Sequence, residues 1–295
     1  MRSTKLLIAA KDLDDGKLAS EFARTWLLRK KRVFYVIHVI EPPNAFSDLS
    51  RSIFDDWRKQ VFAKARRLVG RLAKPLASRN SKTRALVLEG KTKSTLLRVI
   101  RDDRIDLTVV APHADERARR FLLGSVSETI LHNSPTSVAI ARPGLGRKKR
   151  RTILIGLDGS ASGQKAAQWV QSHIVRRCRI FLVYVHEPPD TMLDRLSRIN
   201  TESSPLLQRA QEAGNRRARR SLEKTGNALR AQGHGVGTVI SGGSPAAEIL
   251  DLARRRRVDL IILGSRGLGS FDRYVLGSVS SKVARHADCS VIIVK

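Results

Sequence analysis

The 295-residue chain has few cysteines, few aromatic residues and no long apolar run. Its two cysteines, Cys178 and Cys289, argue against a disulfide-based scaffold and indicate a reducing, cytoplasmic location. No window approaches the roughly 20 apolar residues of a membrane-spanning helix, so we expect neither a signal core nor a membrane span. Because only 5% of residues are aromatic, the core must be mainly Val, Ile, Leu and Ala, which is typical of parallel sheets covered by helices.

Acidic residues are scarce relative to basic ones, and the formal net charge is +29. The positive electrostatic field of such a chain favours the binding of polyanions, whether nucleic acid, anionic lipid or nucleotide phosphates. The alternative is that the arginines are solvated charges on helix faces. The arginines within 216–220 are expected to be of this kind, because they flank the apolar stripe of a predicted helix. The sequence contains no aromatic stacking platform and no recognised nucleic-acid motif, so nucleic acid is an alternative partner rather than the expected one.

The two halves of the sequence repeat each other. Matching segments occur in the same order. Residues 6–10 match 153–157, and the Asp12 and Asp158 that follow them match at an offset of 146 residues, as do 38–43 and 184–189. After a seven-residue insertion the offset is 153, and the matches are Gly90 with Gly243, 105–107 with 258–260, 124–125 with 277–278, and 137–141 with 290–294. Chance does not easily produce this order at two constant offsets. We therefore predict two tandem domains, 1–145 and 146–295, joined by the basic stretch 142–151.

Each half alternates short β-branched runs with helical patterns, which predicts βαβ units and a parallel sheet. Apolar residues at spacings of three and four predict one long amphipathic helix per half, from Phe54 to Leu76 and from Leu207 to Leu222. Pro245 is expected at a helix start, where its missing N–H costs nothing. The predicted fold class is α/β.

A glycine-rich segment directly after the apolar run 258–263 carries the strongest functional signal. Gly264 and Gly267 are expected to adopt positive φ and to permit a close backbone approach. Gly277 and Ser278 then open a new helix, whose unpaired N–H groups can face an anion. We predict that phosphates lie on the backbone of these four residues.

Side chains of the same segment add to the predicted phosphate site. The hydroxyls of Ser278 and Ser280 are within reach, and Val279 lies between them at the helix start. Arg266 and Arg273 are expected to add charge-assisted hydrogen bonds, although solvated arginines agree equally well with the sequence.

The order G-x2-G-x9-G-S, followed by a short helix and the terminal strand 290–294, resembles the ATP-binding signature of the universal stress protein family. The resemblance covers both halves and implies a doubly wound, five-stranded, Rossmann-like parallel sheet in each. It implies ATP as the ligand of the second half, with any Mg²⁺ bound through the phosphates, and a regulatory stress-response role exerted through protein partners. It also implies pairing through last strands, so 137–141 and 290–294 are expected to form an intrachain pseudo-dimer, with a homodimer as the alternative.

Three further residues complete the expected ATP site. Ligands of open α/β sheets lie beyond the carboxyl ends of the strands, where Asp158, Val185 and Gly243 occur. Asp158 could accept hydrogen bonds from ribose hydroxyls or the adenine edge, or it could cap the helix near Ser160. The resemblance favours the ligand role for Asp158 and implies that Val185 lies against the adenine.

The first half is expected to have lost its nucleotide site. Ala111 and Ala114 stand where the second half has Gly264 and Gly267, and Pro112 removes a backbone N–H between them. Alanine at a position that requires positive φ is strained, so we expect one ATP per chain.

No catalytic residue is predicted. The sequence contains no Gly-x4-Gly-Lys-Ser/Thr loop, no acidic pair that marks a metal site, and no Ser/His/Asp set with recognisable spacing. Residues 241–244 resemble the pyrophosphatase loop of ATP-dependent synthetases, but they follow the third strand and lack an aspartate. Three alternatives remain: a slow ATPase or a protein that phosphorylates itself at Ser278 or Ser280, a nucleic-acid-binding protein, and a stress protein that has lost nucleotide binding.

Overall fold

The computed structural model describes residues 3–27, 31–42, 51–112, 123–144, 150–174, 177–186, 205–267 and 276–295. Contacts divide the chain into two compact units. The first contains Met1–Arg147 with Asp288–Ile293 and Lys295, and the second contains Lys148–Ala287 with Val294. Across the described ranges, no helix has both the length and the apolar composition needed to cross a bilayer.

The first unit alternates strands and helices along the chain. Its elements are β1 (Thr4–Ala9), α1 (Leu13–Leu27), β2 (Arg32–Ile40), α2 (Arg51–Ala73), a 3-10 turn (Lys74–Leu76), β3 (Ser81–Glu89), α3 (Thr92–Asp102), β4 (Leu107–Val110), α4 (Ser125–Asn133) and β5 (Ser137–Ile140). The strand order is β3-β2-β1-β4-β5, and all neighbours are parallel. Helix α1 packs on α2, and α3 packs on α4. Because crossovers between parallel strands are right-handed, these two pairs cover opposite faces of the sheet.

A further strand, β10 (Ser290–Val294), joins the sheet of the first unit. It pairs antiparallel with β5, with Val291 opposite Ile140 and Ile293 opposite Val138. The side chains of both strands are buried. This is the strand pairing that the family resemblance implied.

The second unit repeats the same plan. Its elements are β6 (Thr152–Gly156), α5 (Ala161–His173), β7 (Arg179–His186), α6 (Pro205–Ala231), β8 (Gly235–Gly242), α7 (Pro245–Arg255), β9 (Leu260–Gly264) and α8 (Ser278–His286). The order is β9-β6-β7-β8, again with parallel neighbours. Helix α7 begins at Pro245, as predicted.

Aliphatic strands form the cores, as the scarcity of aromatic residues predicted. Every residue of β4 and of β9 is buried, since helices cover both faces of these strands. The long helix α6 buries Ala218, Leu222 and Leu229 along one stripe. The α/β class predicted from the sequence is confirmed.

The strand order positions one crevice in each unit. In the second unit β6 lies between β7 and β9, so the connections leaving β6 and β9 run to opposite faces of the sheet. Such a switch point opens a crevice beyond the carboxyl ends of the strands, where ligands of doubly wound folds bind. The first unit has its switch point between β1 and β4.

Candidate functional site

A cavity of about 620 Å³ opens at the switch point of the second unit. Strand ends of β6, β7 and β9 form its floor, and the starts of α7 and α8 form part of its wall. Nine of the ten residues assigned to the ATP site line it: Asp158, Val185, Gly264, Arg266, Gly267, Gly277, Ser278, Val279 and Ser280. Residues distant in sequence thus converge on one space.

Gly243 is the assigned residue that lies outside this wall. It has a φ of +134° and forms the turn from β8 into α7. Its N–H donates to the carbonyl of His186 at 3.0 Å. Pro245, two residues further on, lines the cavity instead. The positive φ explains the glycine here, because other residues rarely adopt this conformation.

Gly264 and Gly267 do not adopt positive φ, contrary to the sequence-based expectation. At Gly264 the requirement is space, since a Cβ would lie 2.5 Å from the carbonyl carbon of Ser162 and 2.6 Å from its oxygen. Helix α5 crosses the end of β9 at this point, and the N–H of Arg266 donates to Ser162 Oγ at 3.3 Å. The glycine therefore permits close packing of helix on strand.

Asp158 is held by the turn that precedes α5. Its Oδ1 accepts the N–H of Ser160 at 2.9 Å, and its Oδ2 lies 2.9 Å from the point at which Gly267 would carry a Cβ. The helix itself is capped by Ser160, whose Oγ accepts the N–H of Gly163 at 3.1 Å. Asp158 thus stabilises the turn with one oxygen and remains in the cavity wall.

The start of α8 presents backbone donors to the cavity. Among the described residues, no acceptor is bonded to the N–H groups of Ser278, Val279 and Ser280, and the first amide with an intrahelical bond is that of Ser281, 2.9 Å from Gly277 O. Three unpaired amides at the positive end of a helix dipole favour an anion.

Two groups expected to contact phosphate are already bonded within the protein. The N–H of Gly277, whose φ is an ordinary −62°, donates to Ser265 O at 2.8 Å. The hydroxyl of Ser280 donates to Gly264 O at 2.7 Å in a buried position. Both bonds hold the start of α8 against the end of β9.

His186 is a wall residue that the sequence analysis missed. It is half-buried, its Nε2 is fully buried, and no hydrogen-bond partner for Nε2 exists in the described part of the chain. The ring lies 5.0 Å from that of Tyr184 and packs against Gly214 of α6. Buried ring nitrogens normally have a partner. A polar residue at the end of a buried strand, next to Val185, was the available signal.

Arg266 is half-buried and lines the cavity, whereas Arg273 and the rest of 268–275 lie outside the described residues. The arginine contribution to this site therefore comes, in the described structure, from Arg266.

The first unit has a cavity of about 420 Å³ at its own switch point. Here too a serine holds the helix start, since Ser127 Oγ donates to Ala111 O at 2.9 Å. Glu128 N–H bonds to Gly124 O at 2.9 Å, so α4 begins as α8 does. His38, which matches Tyr184 in the repeat, lines this cavity and places Nδ1 2.9 Å from Ala10 O.

Ala111 of the first unit stands where the second unit has Gly264, and the expected backbone strain at Ala111 is not observed. Because Gly264 has no positive φ, Ala111 need not be strained by replacing it. The repeat places Gly16 where the second unit has Ser162. A Cβ on Gly16 would collide with Leu72 and lie 3.1 Å from the Cβ of Ala10.

A carboxylate is bonded to the start of a helix in the wall of the first cavity. Glu41 lines it and accepts the N–H of Thr92 at 2.6 Å, at the start of α3. Hydrogen bonds from Thr92, followed by the charges of Lys93 and Lys91, lower the pKa of Glu41. In the second unit α7 begins with Pro245, which has no N–H to hold a carboxylate in this way.

Comparison with known proteins agrees with this architecture. The sequence model of the Universal stress protein family matches residues 3–142 and 149–295. A universal stress protein of Thermus aquaticus is 31% identical over 148 residues, covering 49% of this chain and 98% of the relative. One from Mycobacterium tuberculosis is 26% identical over 303 residues, covering 95% of this chain and 93% of the relative.

A solved structure of full length shows the same fold. A universal stress protein from Archaeoglobus fulgidus has a TM-score of 0.66 at 19% identity, covering 100% of this chain and 97% of that chain. A family protein from Arabidopsis thaliana, solved with AMP bound, is 24% identical and covers 49% of this chain and 91% of that chain, with a TM-score of 0.37. Because the family model matches both halves, this chain belongs to the universal stress protein family, as a member with two tandem domains.

Proposed function

We propose that the second unit binds ATP in its 620 Å³ cavity, and that the chain is a nucleotide-dependent regulatory module of the stress response. One observation carries the proposal: the three unpaired amides of α8, the carboxylate of Asp158 and the apolar Val185 lie in a single wall. The volume is within the usual range of small-molecule sites. The proposal depends on this chain's own geometry rather than on the AMP-bound relative.

Phosphates fit the start of α8. The amides of Ser278, Val279 and Ser280 supply donors without a competing acceptor in the described structure, and the helix dipole adds positive potential. Arg266 is half-buried in the same wall, where its guanidinium can pair with a phosphate oxygen. We infer that the backbone of α8 is the principal phosphate contact and Arg266 the charged one.

The nucleoside fits beside Asp158 and Val185 in the same cavity. Oδ2 of Asp158 has no hydrogen bond within the described residues and can accept one from a ribose hydroxyl or the adenine edge. Val185 is half-buried at the end of β7 and offers an apolar surface for the base. The unpartnered Nε2 of His186 is buried next to this surface, so we include His186 among the proposed ligand contacts.

We propose binding rather than turnover. Within the described residues no group of three His, Cys, Asp or Glu side chains could hold a metal ion, so Mg²⁺ would enter with the phosphates. The buried hydroxyl of Ser280 already donates to Gly264 O, which disfavours it as a nucleophile. We further propose a cytoplasmic location, consistent with two cysteines that are not joined in a disulfide, and protein partners that respond to the nucleotide state.

The test is calorimetric titration of nucleotide-stripped protein with ATP, after mass spectrometry of the material first released from it. We expect saturable binding that Asp158→Asn weakens about tenfold, since asparagine keeps the bond from Ser160 but loses the charge. Asp12→Asn is the matched control. Asp12 occupies the equivalent position and caps α1 by accepting the N–H groups of Asp14 and Asp15. Absence of binding, or an equal effect of both variants, would refute the proposal.

A further inference from the structure

In the described part of the chain, the outer edge of β8 is a free strand edge beyond Val236, and arginines lie beside its start. We propose that this edge binds an extended, acidic segment of a partner protein, which adds to the sheet of the second unit as a further strand. The proposal does not depend on nucleotide binding.

The hydrogen-bond pattern shows which backbone groups of β8 face outwards. Gly235 N–H donates to Cys178 O, and Gly243 N–H donates to His186 O, both at 3.0 Å, so the odd-numbered residues face β7. Strand alternation then turns the N–H and C=O groups of the even-numbered residues to the free edge: Val236, Thr238, Ile240 and Gly242. In the described structure, the one side chain bonded to these groups is that of Arg230, whose Nη2 lies 3.3 Å from Val236 O.

The side chains along this edge provide no protection. Thr238, Ile240 and Gly242 are exposed. At 37%, Ile240 is the one large hydrophobic residue in the described ranges that reaches this exposure. The eight residues of β8 include no charged residue. A free edge of this kind is a template for strand addition.

The corresponding edge of the first unit is protected. Strand β3 presents Lys82 and Arg84 to solvent, and its Glu89 forms an ion pair of 2.9 Å with Arg58. Long charged side chains are a common device by which proteins prevent pairing at an edge strand. The two units share a fold, so the absence of this device from β8 is particular to the second unit.

The surroundings of β8 select an acidic occupant. Arg150 packs on Gly235, with Nη2 2.6 Å from the position of a Cβ there, and Arg177 Nε lies 3.0 Å from the equivalent point on Gly233. With Arg230, these residues place three guanidinium groups beside the start of β8. A second copy of this chain would bring another +29 charges, which disfavours pairing between copies. A carboxylate-bearing strand is attracted instead.

The first experiment uses a fluorescein-labelled peptide as long as β8 that alternates valine with glutamate, measured by anisotropy against the full chain. We expect saturable binding. Two control peptides should bind at least about tenfold more weakly: one N-methylated at alternate amides, which cannot form a ladder, and one with lysine in place of glutamate. Equal binding of the N-methylated peptide would reduce the effect to charge alone, and equal binding of the lysine peptide would remove the acidic preference. Either result, or no binding, overturns the proposal.

Two protein variants locate the binding edge. Thr238→Pro removes an outward N–H that does not bond to β7, and Thr238→Ala retains it. Thermal melts followed by circular dichroism establish whether each variant is folded. We expect the proline variant to bind the acidic peptide about tenfold more weakly and the alanine variant to bind like the parent. Should proline prevent folding, the N-methylated peptide still decides the question. A dimer in sedimentation equilibrium that Thr238→Pro abolishes would assign the edge to a second copy and overturn the proposal.

Discussion

The carboxylate of Asp158 lies in the space that a side chain at Gly267 would need, with Oδ2 2.9 Å from the Cβ position. The two residues come from different loops, after β6 and after β9. The glycine therefore permits an aspartate to occupy the cavity wall, and its own φ is unexceptional.

We predict that Gly267→Ala weakens ATP binding about tenfold without unfolding the protein, because the methyl group displaces the carboxylate of Asp158. Titration calorimetry measures the change. The double variant with Asp158→Asn should bind no more weakly than Asp158→Asn alone, since both changes act on the same group. Losses that simply add would show that Gly267 acts independently of Asp158.

Gly264→Ala should destabilise the second unit by about 1–3 kcal/mol, because its Cβ would lie 2.5 Å from the backbone of Ser162. Urea unfolding followed by circular dichroism measures the loss. Gly70→Ala is the contrasting change: nothing lies within 4 Å of a Cβ at Gly70 of α2, so alanine should stabilise the helix by about 0.5–1 kcal/mol. Equal effects at the two sites would contradict the packing argument.

Saturation should occur near one ATP per chain. The first cavity is smaller, about 420 Å³, and Glu41 places a carboxylate in its wall at the start of α3. The N–H of Thr92 is therefore not available to a phosphate. Calorimetry on stripped protein gives the stoichiometry directly. Two equivalents of similar affinity would show that the first unit retains a full site.

Turnover of ATP should be slow or absent. We assign Asp158 and His186 to the nucleoside rather than to an attacking water, and the Ser280 hydroxyl is bonded to Gly264 O. A steady-state phosphate-release assay checks this expectation. Release at ordinary enzyme rates, on the order of 10 per second, would favour the ATPase alternative.

The second unit should lose stability in mild acid through His234. Its Nδ1 accepts the N–H of Cys178 at 3.2 Å, and burial lowers the pKa of this imidazole. Below the unfolded-state pKa of about 6.5, the unfolded chain binds a proton that the folded chain does not. The free energy of unfolding therefore decreases as the pH is lowered, until the pH reaches the lower pKa of His234 in the folded state.

His234→Gln should remove this part of the pH dependence, because glutamine does not titrate and its amide oxygen can still accept a hydrogen bond. Urea unfolding at a series of pH values below neutrality measures it. Exposed His286→Gln is the control and should leave the slope unchanged. A slope that His234→Gln does not reduce would assign the acid sensitivity to other groups.

The α/β class, the tandem repeat and the start of α7 at Pro245 were predictable from the sequence. Each depends on local information: the period of apolar residues along the chain, or the conformational limits of one proline. The glycine pattern also identified the loop that follows β9, and nine of the ten assigned residues do line one cavity. Their role as nucleotide contacts stays a prediction.

Only the tertiary structure showed which contacts those residues make within the protein. Gly264 has no room for a side chain because Ser162 of α5 packs against it. The N–H of Gly277 donates to Ser265 O, and the buried Nε2 of His186 has no hydrogen-bond partner in the described chain. The exposed edge of β8 and the bond between Glu41 and Thr92 were equally invisible in the sequence. The physical reason is that a close approach, a satisfied donor or a free strand edge depends on which distant atoms lie nearby, and local periodicity carries no such information.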